Sequence, residues 1–203
     1  TGSVLGCAFL ADATITFGFC KRGLVMYPGA DYAGEVHAVD VGIGSESFLG
    51  QIPEMYTLEN GENCLPDRNP SGNKGTFGKT LLIAGSNGMA GAAILAARAA
   101  YRSGSGMVKV ITAEENRQIL QQGIPEALYG SCRQLAESLM WADVIAIGPG
   151  IGREEQALQC LRTVVEKSRK PLVLDADALN LLAEENGKLL TEELQRQGAK
   201  GRT

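Results

Sequence analysis

After Gly78 the sequence repeats one pattern: an apolar run, a short polar or glycine-rich turn, then a segment with helical period. "KTLLIAGS" leads into "AGAAILAARAAYRSG", "GMVKVIT" into "AEENRQILQQ", "ADVIAIGPG" into "REEQALQCLRTVVEKS", and "PLVLDAD" into "ALNLLAEENG". Short continuous apolar runs fit strands covered on both faces, and their alternation with helices implies parallel pairing. The pattern therefore predicts an α/β, doubly wound sheet. Ligands of such sheets gather outside the carboxyl ends of the strands, where loops meet helix N-termini. Those ends read "GSNGMAG", "TAEE", "GPGIG" and "DADALN", so Ser86, Gly148 and Asp175 are expected along one sheet edge.

The first 44 residues lack this pattern. Short runs such as "ATITFGF", "GLVMYPG" and "GEVHAVDVGIG" are separated by glycines and predict a β-rich region of strands joined by tight turns. Residues 46–73 are rich in Glu, Asn, Pro and Gly without a sustained apolar period, which predicts a connection between domains. The expected organisation is residues 1–48, a linker over 49–69, and a second domain over 70–203. The chain opens on Thr1 without a signal-peptide pattern and closes on the polar "GAKGRT" after a helical segment, so both ends are expected to be internal to a longer protein.

Composition narrows the chemistry. With 44% hydrophobic residues and no apolar run of bilayer length, the chain is expected to be soluble and not to engage a membrane. A formal charge of −4 lacks the cationic footprint of a nucleic-acid binder, so small anions would have to be held by local backbone donors. Cys7, Cys20, Cys64, Cys132 and Cys160 are odd in number and widely scattered, which predicts neither a disulfide framework nor a thiolate metal site. A reducing, cytoplasmic setting follows as an expectation. The one histidine, His37, falls in the alternating "EVHAVDV" and is expected to be a strand residue, leaving little material for a Ser-His-Asp triad or a His-rich metal site.

Each glycine-rich segment has a structural and a functional reading. "NKGTFGKT", Asn73 to Thr80, nearly spells a phosphate-binding P-loop, but Lys79 and Thr80 lead into a strand where that motif needs a helix. "AGSNGMAGAA" follows a strand and opens a helix. There Gly88 and Gly91 either admit a ligand to the free N–H groups of the helix start or allow close helix-to-sheet packing. "SGSGM" reads as a helix stop. In "AIGPGIGREE", Gly148, Gly150 and Gly152 bracket Pro149 at another strand-to-helix turn, and Glu154 and Glu155 suit the positive end of the helix without any ligand. In "DADALN", Asp175, Asp177 and Asn180 crowd one strand end, and Asp177 either faces a pocket or caps the helix that starts at Ala178.

Taken in order, "NPSGNKGTFGKTLLIAGSNGMAGAAILAARAAYRSGSGMVKVIT", "IPEALYG", "ADVIAIGPGIG" and "PLVLDADALNLLA" closely resemble the NAD(P)H-hydrate dehydratase family, a branch of the ribokinase-like superfamily, over residues 68–203. The first segment is similar to the C-terminal end of the Rossmann-like NAD(P)H-hydrate epimerase domain that precedes the dehydratase in the family's bifunctional members. The resemblance implies metabolite repair: epimerisation of hydrated NADH or NADPH, and removal of the water at the expense of ATP or ADP, accompanied by Mg2+. It implies substrate contacts at Ala92 and Gly150, with Gly148, Asp177 and Asn180 in the same crevice and Lys74, Gly88 and Gly91 as further loop contacts. It also implies K+ for the epimerase half, a homo-oligomeric parent, a ribokinase-like sheet incomplete at its C-terminus, and no catalytic group within this chain. In the family the expected base and most nucleotide contacts follow the equivalent of "GRT", and the epimerase's catalytic aspartate precedes Thr1.

Other classes remain open at this point. A ribokinase-like kinase of a vitamin precursor shares the glycine loop and the parallel sheet, although the epimerase-like first segment argues against it. A non-catalytic α/β binding scaffold fits a chain without a full catalytic set. A Rossmann dehydrogenase fits poorly, because no GxGxxG follows the first strand of the α/β region.

Overall fold

The computed structural model describes residues 2–51, 68–184 and 187–198. The chain divides into two compact units, residues 1–63 and 64–203. The division falls inside the segment expected to connect two domains, most of which lies outside the described residues.

In the first unit, strands β1 (Ala13–Phe17) and β2 (Glu35–Val39) pair in parallel, with Ile15 opposite His37 and Phe17 opposite Val39. This corrects the expectation of strands joined by tight turns. Parallel neighbours need a crossover, and "RGLV" with "GADYA" supplies it as two short helices, α1 (Arg22–Val25) and α2 (Gly29–Ala33). The run "GLVMYPG" is therefore not a strand, and the region is not β-rich. Its apolar residues mislead because helices this short carry no readable period. The face of the two-stranded sheet that carries Ile15 and Phe17 stays open, with both more than half exposed, whereas Thr16 on the opposite face is buried. His37 is a strand residue, 3.5 Å from Glu35 through its Nε2.

The second unit is built on a five-stranded sheet, all parallel. Its strands are β3 (Lys79–Ile83), β4 (Met107–Ile111), β5 (Leu128–Gly130), β6 (Val144–Ile147) and β7 (Leu172–Leu174), in spatial order β5-β4-β3-β6-β7. β3 is central, and Thr80 through Ile83 are buried because neighbouring strands and helices cover both faces. On one face lie α3 (Ala90–Arg102) and α4 (Arg117–Gly123), and on the other α5 (Leu135–Trp141), α6 (Glu155–Lys167), α7 (Asp177–Ala183) and α8 (Lys188–Gly198). The alanine side of α3, Ala90, Ala93 and Ala97, lets that helix lie close on Val108 and Val110. α6 instead presents Ala157, Leu158, Leu161, Val164 and Val165 at helical spacing to Ile145, Ile147 and Leu181.

The register sets the level of the loops. Ile83 stands opposite Ile111 on one side and Ile147 on the other, and Ile147 stands opposite Leu174. The strands thus end together, and Ser86, Gly148 and Asp175 follow them at one edge. Two elements have no counterpart in the strand and helix pattern of the sequence. β5 is three residues long, and α5 begins from a 3-10 turn, Cys132–Gln134, held by a Ser131 to Gln134 capping box. "AEENRQILQQ" similarly begins as a 3-10 turn, Glu114–Asn116, before α4. Lys170, which opens "KPLVLDADALN", donates from Nζ to the carbonyls of Leu139, Met140 and Ala142, capping the C-terminal end of α5. Among the described residues no helix is long and apolar enough to cross a membrane.

Candidate functional site

The glycine loops at the carboxyl edge are hydrogen-bonded to one another. Gly85 N–H donates to the Pro149 carbonyl at 2.9 Å and Ser86 N–H to the Gly150 carbonyl at 2.6 Å, so "GSNG" and "GPG" continue the β3–β6 pairing beyond the strands. Ala113 N–H donates to the Gly85 carbonyl at 3.1 Å and Asp175 N–H to the Ile147 carbonyl at 3.1 Å, which ties in the ends of β4 and β7. These bonds consume several donors that the sequence left available. Among the described residues, the N–H groups of Asn87, Gly88, Ala90 and Gly91 remain without an acceptor at the start of α3. Met89 contributes no side-chain cap. Aligned free N–H groups at the positive end of a 13-residue helix suit an anion.

The candidate residues do not share one role. Gly150 has φ +63°, and a Cβ there would come within 2.8 Å of the Ala92 Cβ, so these two candidates touch each other and set how closely "GPG" approaches α3. Gly148, at φ +138°, leaves room for the Asp175 carbonyl, which a Cβ would strike. Its glycine is thus explained by loop packing. Gly88, at φ +80°, and Gly91 face open space, so packing does not demand a glycine side chain at either. For Gly88 the backbone angle does.

Asp177 is not the cap of its helix. That position is Ala176, at φ +45°, a conformation that non-glycine residues rarely adopt. Asp177 Oδ2 accepts the Gly152 N–H at 3.0 Å, and Oδ1 accepts from Asn180 Nδ2 at 3.4 Å. The carboxylate therefore clamps the end of "GPGIG" to α7. Lys74 lies elsewhere: it is exposed at the amino edge of the sheet, where its carbonyl packs against Gly106, just ahead of β4. Lys74 is thus set apart from the loops at the carboxyl edge. Lys79 belongs to β3, and its N–H donates to Asp143 Oδ2 at 2.9 Å.

Two features have no clear signature in the sequence. Asn116, 2% exposed, donates from Nδ2 to the Gly85 carbonyl at 3.1 Å and the Ser86 carbonyl at 2.8 Å. Thr112 Oγ1 donates to the same Gly85 carbonyl at 2.7 Å. Together they fix the glycine loop from the β4 side, and their one signal in the sequence is a polar Thr and Asn bracketing "AEE". Beside this loop a cavity of about 390 Å³ opens over the ends of β3, β4 and β5, lined among others by Ser86, Asn87, Glu114, Cys132, Arg133 and Glu154. Because Glu114, Glu115 and Glu154 outnumber Arg133 in its wall, it favours a neutral ligand part over a phosphate.

Within the wall, Cys132 and Cys160 stand with sulfurs 3.8 Å apart. The Cys160 thiol beside it, together with Gln156, holds the Cys132 thiol below the ordinary cysteine value, to about 6. The Cys132 sulfur and burial push Cys160 up.

A parallel α/β sheet with paired glycine loops and a helix N-terminus at its carboxyl edge defines a class of small-molecule binding fold. The sequence model of NAD(P)H-hydrate dehydratase matches residues 80–197, and the chain belongs to that family. It is 40% identical to the bifunctional NAD(P)H-hydrate repair enzyme Nnr of Escherichia coli K12, over 90% of this chain and 36% of that protein. A ribokinase-like superfamily protein from Enterococcus faecalis V583 superposes with a TM-score of 0.56 at 28% identity, over 67% of this chain and 59% of the other. The ADP/ATP-dependent NAD(P)H-hydrate dehydratase of Bacillus subtilis, co-crystallized with ATP and Mg2+, superposes with a TM-score of 0.51 at 38% identity, over 57% of this chain and 43% of that chain. The sheet is thus ribokinase-like, and the chain spans little more than a third of the length of its bifunctional relatives.

Proposed function

We propose that the second unit supplies the loop framework of a nucleotide-dependent NAD(P)H-hydrate dehydratase, within a protein that also epimerises the hydrate. Family membership supports the reaction class, and the geometry supports the division of labour. The observation that carries it is the set of acceptor-free N–H groups at Asn87, Gly88, Ala90 and Gly91, beside a cavity with an acidic wall. Phosphate groups would lie on the start of α3, and a neutral ring would turn toward Ser86 and Cys132. Gly150 and Ala92 would set the depth of the crevice, and Asp177 with Asn180 would hold its far wall.

ATP or ADP, when bound with Mg2+, supplies a phosphoryl group that makes the hydrate's hydroxyl a better leaving group. What these residues contribute is positioning. Asp177 is engaged with Gly152 and Asn180, which leaves it poorly placed to take a proton. Among the described residues no cluster of three His, Cys, Asp or Glu side chains gathers for a metal, so Mg2+ would arrive with the phosphates. The K+ expected of the epimerase half, a cytoplasmic setting and homo-oligomeric assembly belong to the same proposal.

The test is an assay of hydrated NADH with ATP or ADP, followed by the return of NADH absorbance. The whole bifunctional protein should turn over. The 203-residue chain should bind nucleotide weakly with turnover at background. Robust turnover by the chain would show that the acting group lies among these residues. Unchanged hydrate binding by the whole protein carrying Gly150→Val would remove "GPG" from the site.

A further inference from the structure

The Cys132 and Cys160 pair is not needed by the dehydratase reading, yet its arrangement is that of an attacking and a resolving thiol. Both residues line the carboxyl-edge cavity, and their sulfurs stand 3.8 Å apart. Cys132 is half-buried and reachable from the cavity, whereas Cys160 is 8% exposed. A disulfide requires a sulfur separation of roughly 2 Å, so the gap must shrink by less than the reach of one side-chain rotation. Cys132 sits on the short 3-10 turn Cys132–Gln134, a less anchored element than the buried face of α6 that holds Cys160.

We propose that this pair is a peroxide-reactive dithiol: Cys132 takes an oxygen from a hydroperoxide, and Cys160 then closes the disulfide. In the first step the Cys132 sulfur attacks the terminal peroxide oxygen. The O–O bond breaks, and the departing oxygen leaves as water or an alcohol after protonation, giving a sulfenic acid. In the second, the Cys160 sulfur attacks the Cys132 sulfur, the S–O bond breaks, and hydroxide leaves with the Cys160 proton as water. Two thiols lose two electrons and the peroxide gains them. The asymmetry of exposure supports the order of the steps, as does the lowered value of the Cys132 thiol, since the thiolate is the nucleophile. The bridge would join the turn after β5 to α6 and so enclose β6 and the "GPGIG" loop between its ends. That would stiffen the edge of the sheet that the ligand reading uses, although the disulfide itself does not depend on that reading.

The experiment treats the full reduced chain with hydrogen peroxide in steps, blocks residual thiols with iodoacetamide and maps the peptides by mass spectrometry. The first oxidised product should be the intramolecular Cys132–Cys160 disulfide, with Cys7, Cys20 and Cys64 still alkylated. Its formation should exceed oxidation of Cys7 by about tenfold or more, the scale expected of a thiolate-rich site. In Cys160→Ser, dimedone should trap a sulfenic acid on Cys132. If that variant fails to fold, the wild-type mapping alone decides. Oxidation of Cys132 no faster than of Cys7 or Cys20, or a first disulfide that joins other cysteines or two chains, overturns the proposal.

Discussion

At the scale of single residues, Gly91 and Gly150 look alike in sequence and differ in cause. Gly150 needs a positive φ and sits against Ala92, so Gly150→Val should lower stability by about 1–3 kcal/mol through backbone strain and overpacking, read from a urea midpoint. Gly91 is helical with open space at its Cβ. Gly91→Ala should leave stability unchanged or raise it by about 0.5 kcal/mol. If the N–H groups around it hold a phosphate, nucleotide affinity should fall in that variant while the midpoint does not. The buried Asn116 side chain predicts the opposite balance. Asn116→Leu removes one donor from each of the Gly85 and Ser86 carbonyls, which keep their bonds from Thr112, Ala113 and Met89, and should cost roughly 1 kcal/mol, with faster exchange of the Gly85 and Ser86 amides.

Cys132 carries a pH prediction with a definite sign. Unfolded, both cysteines of the pair keep their protons until near 9.0; folded, Cys132 gives up its proton near 6 and Cys160 keeps its own. Between those values the unfolded chain binds more protons, so this pair makes stability rise with pH, and the contribution is lost as pH falls through about 6. The gap in urea midpoint between the wild type and Cys132→Ser should therefore widen from about pH 6 to about pH 8.5. A gap that stays constant or narrows contradicts the assignment.

At the scale of elements, α6 carries much of one core face. Leu161 is fully buried among sheet and helix residues, and Leu161→Ala should cost about 2–5 kcal/mol by the cavity it leaves. Leu95, on the solvent side of α3 and 68% exposed, should cost less than about 0.5 kcal/mol when truncated. Both helices read as amphipathic in the sequence, and the difference at these positions follows from which side meets the sheet. The short elements show the limit of periodicity. β5 spans three residues and α1 four, too few to separate a period of two from one of 3.6. Pattern alone accordingly misassigns "GLVMYPG", and "IPEALYG" carries a signal only through its resemblance to a family.

At the scale of the whole molecule, the two units differ in how well their strands are covered. β3 lies between two strands and beneath helices on both faces, whereas β1 pairs on one side and leaves its Ile15 and Phe17 face open. Amide exchange should therefore be slower at Leu81 to Ile83 than at Thr14 to Phe17 by roughly two orders of magnitude or more, because local opening of β1 exposes little further apolar surface. Comparable protection of the two strands in a demonstrated monomer would show that β1 is covered in solution.

The hydrophobic pattern by itself determined the α/β class, the parallel sense of the main sheet and the shared edge of "GSNG", "GPG" and "DADALN". Strand period and strand-to-helix alternation are local properties, and right-handed parallel crossovers bring successive strand ends to one side. Local pattern left open what each side chain in those loops faces. That Asp177 holds Gly152 instead of capping its helix, that Gly150 meets Ala92, that Asn116 steadies Gly85, and that Cys132 lies beside Cys160 are contacts between residues remote in sequence. Only the register of the strands and the packing of α6 and α7 against them could bring those residues together.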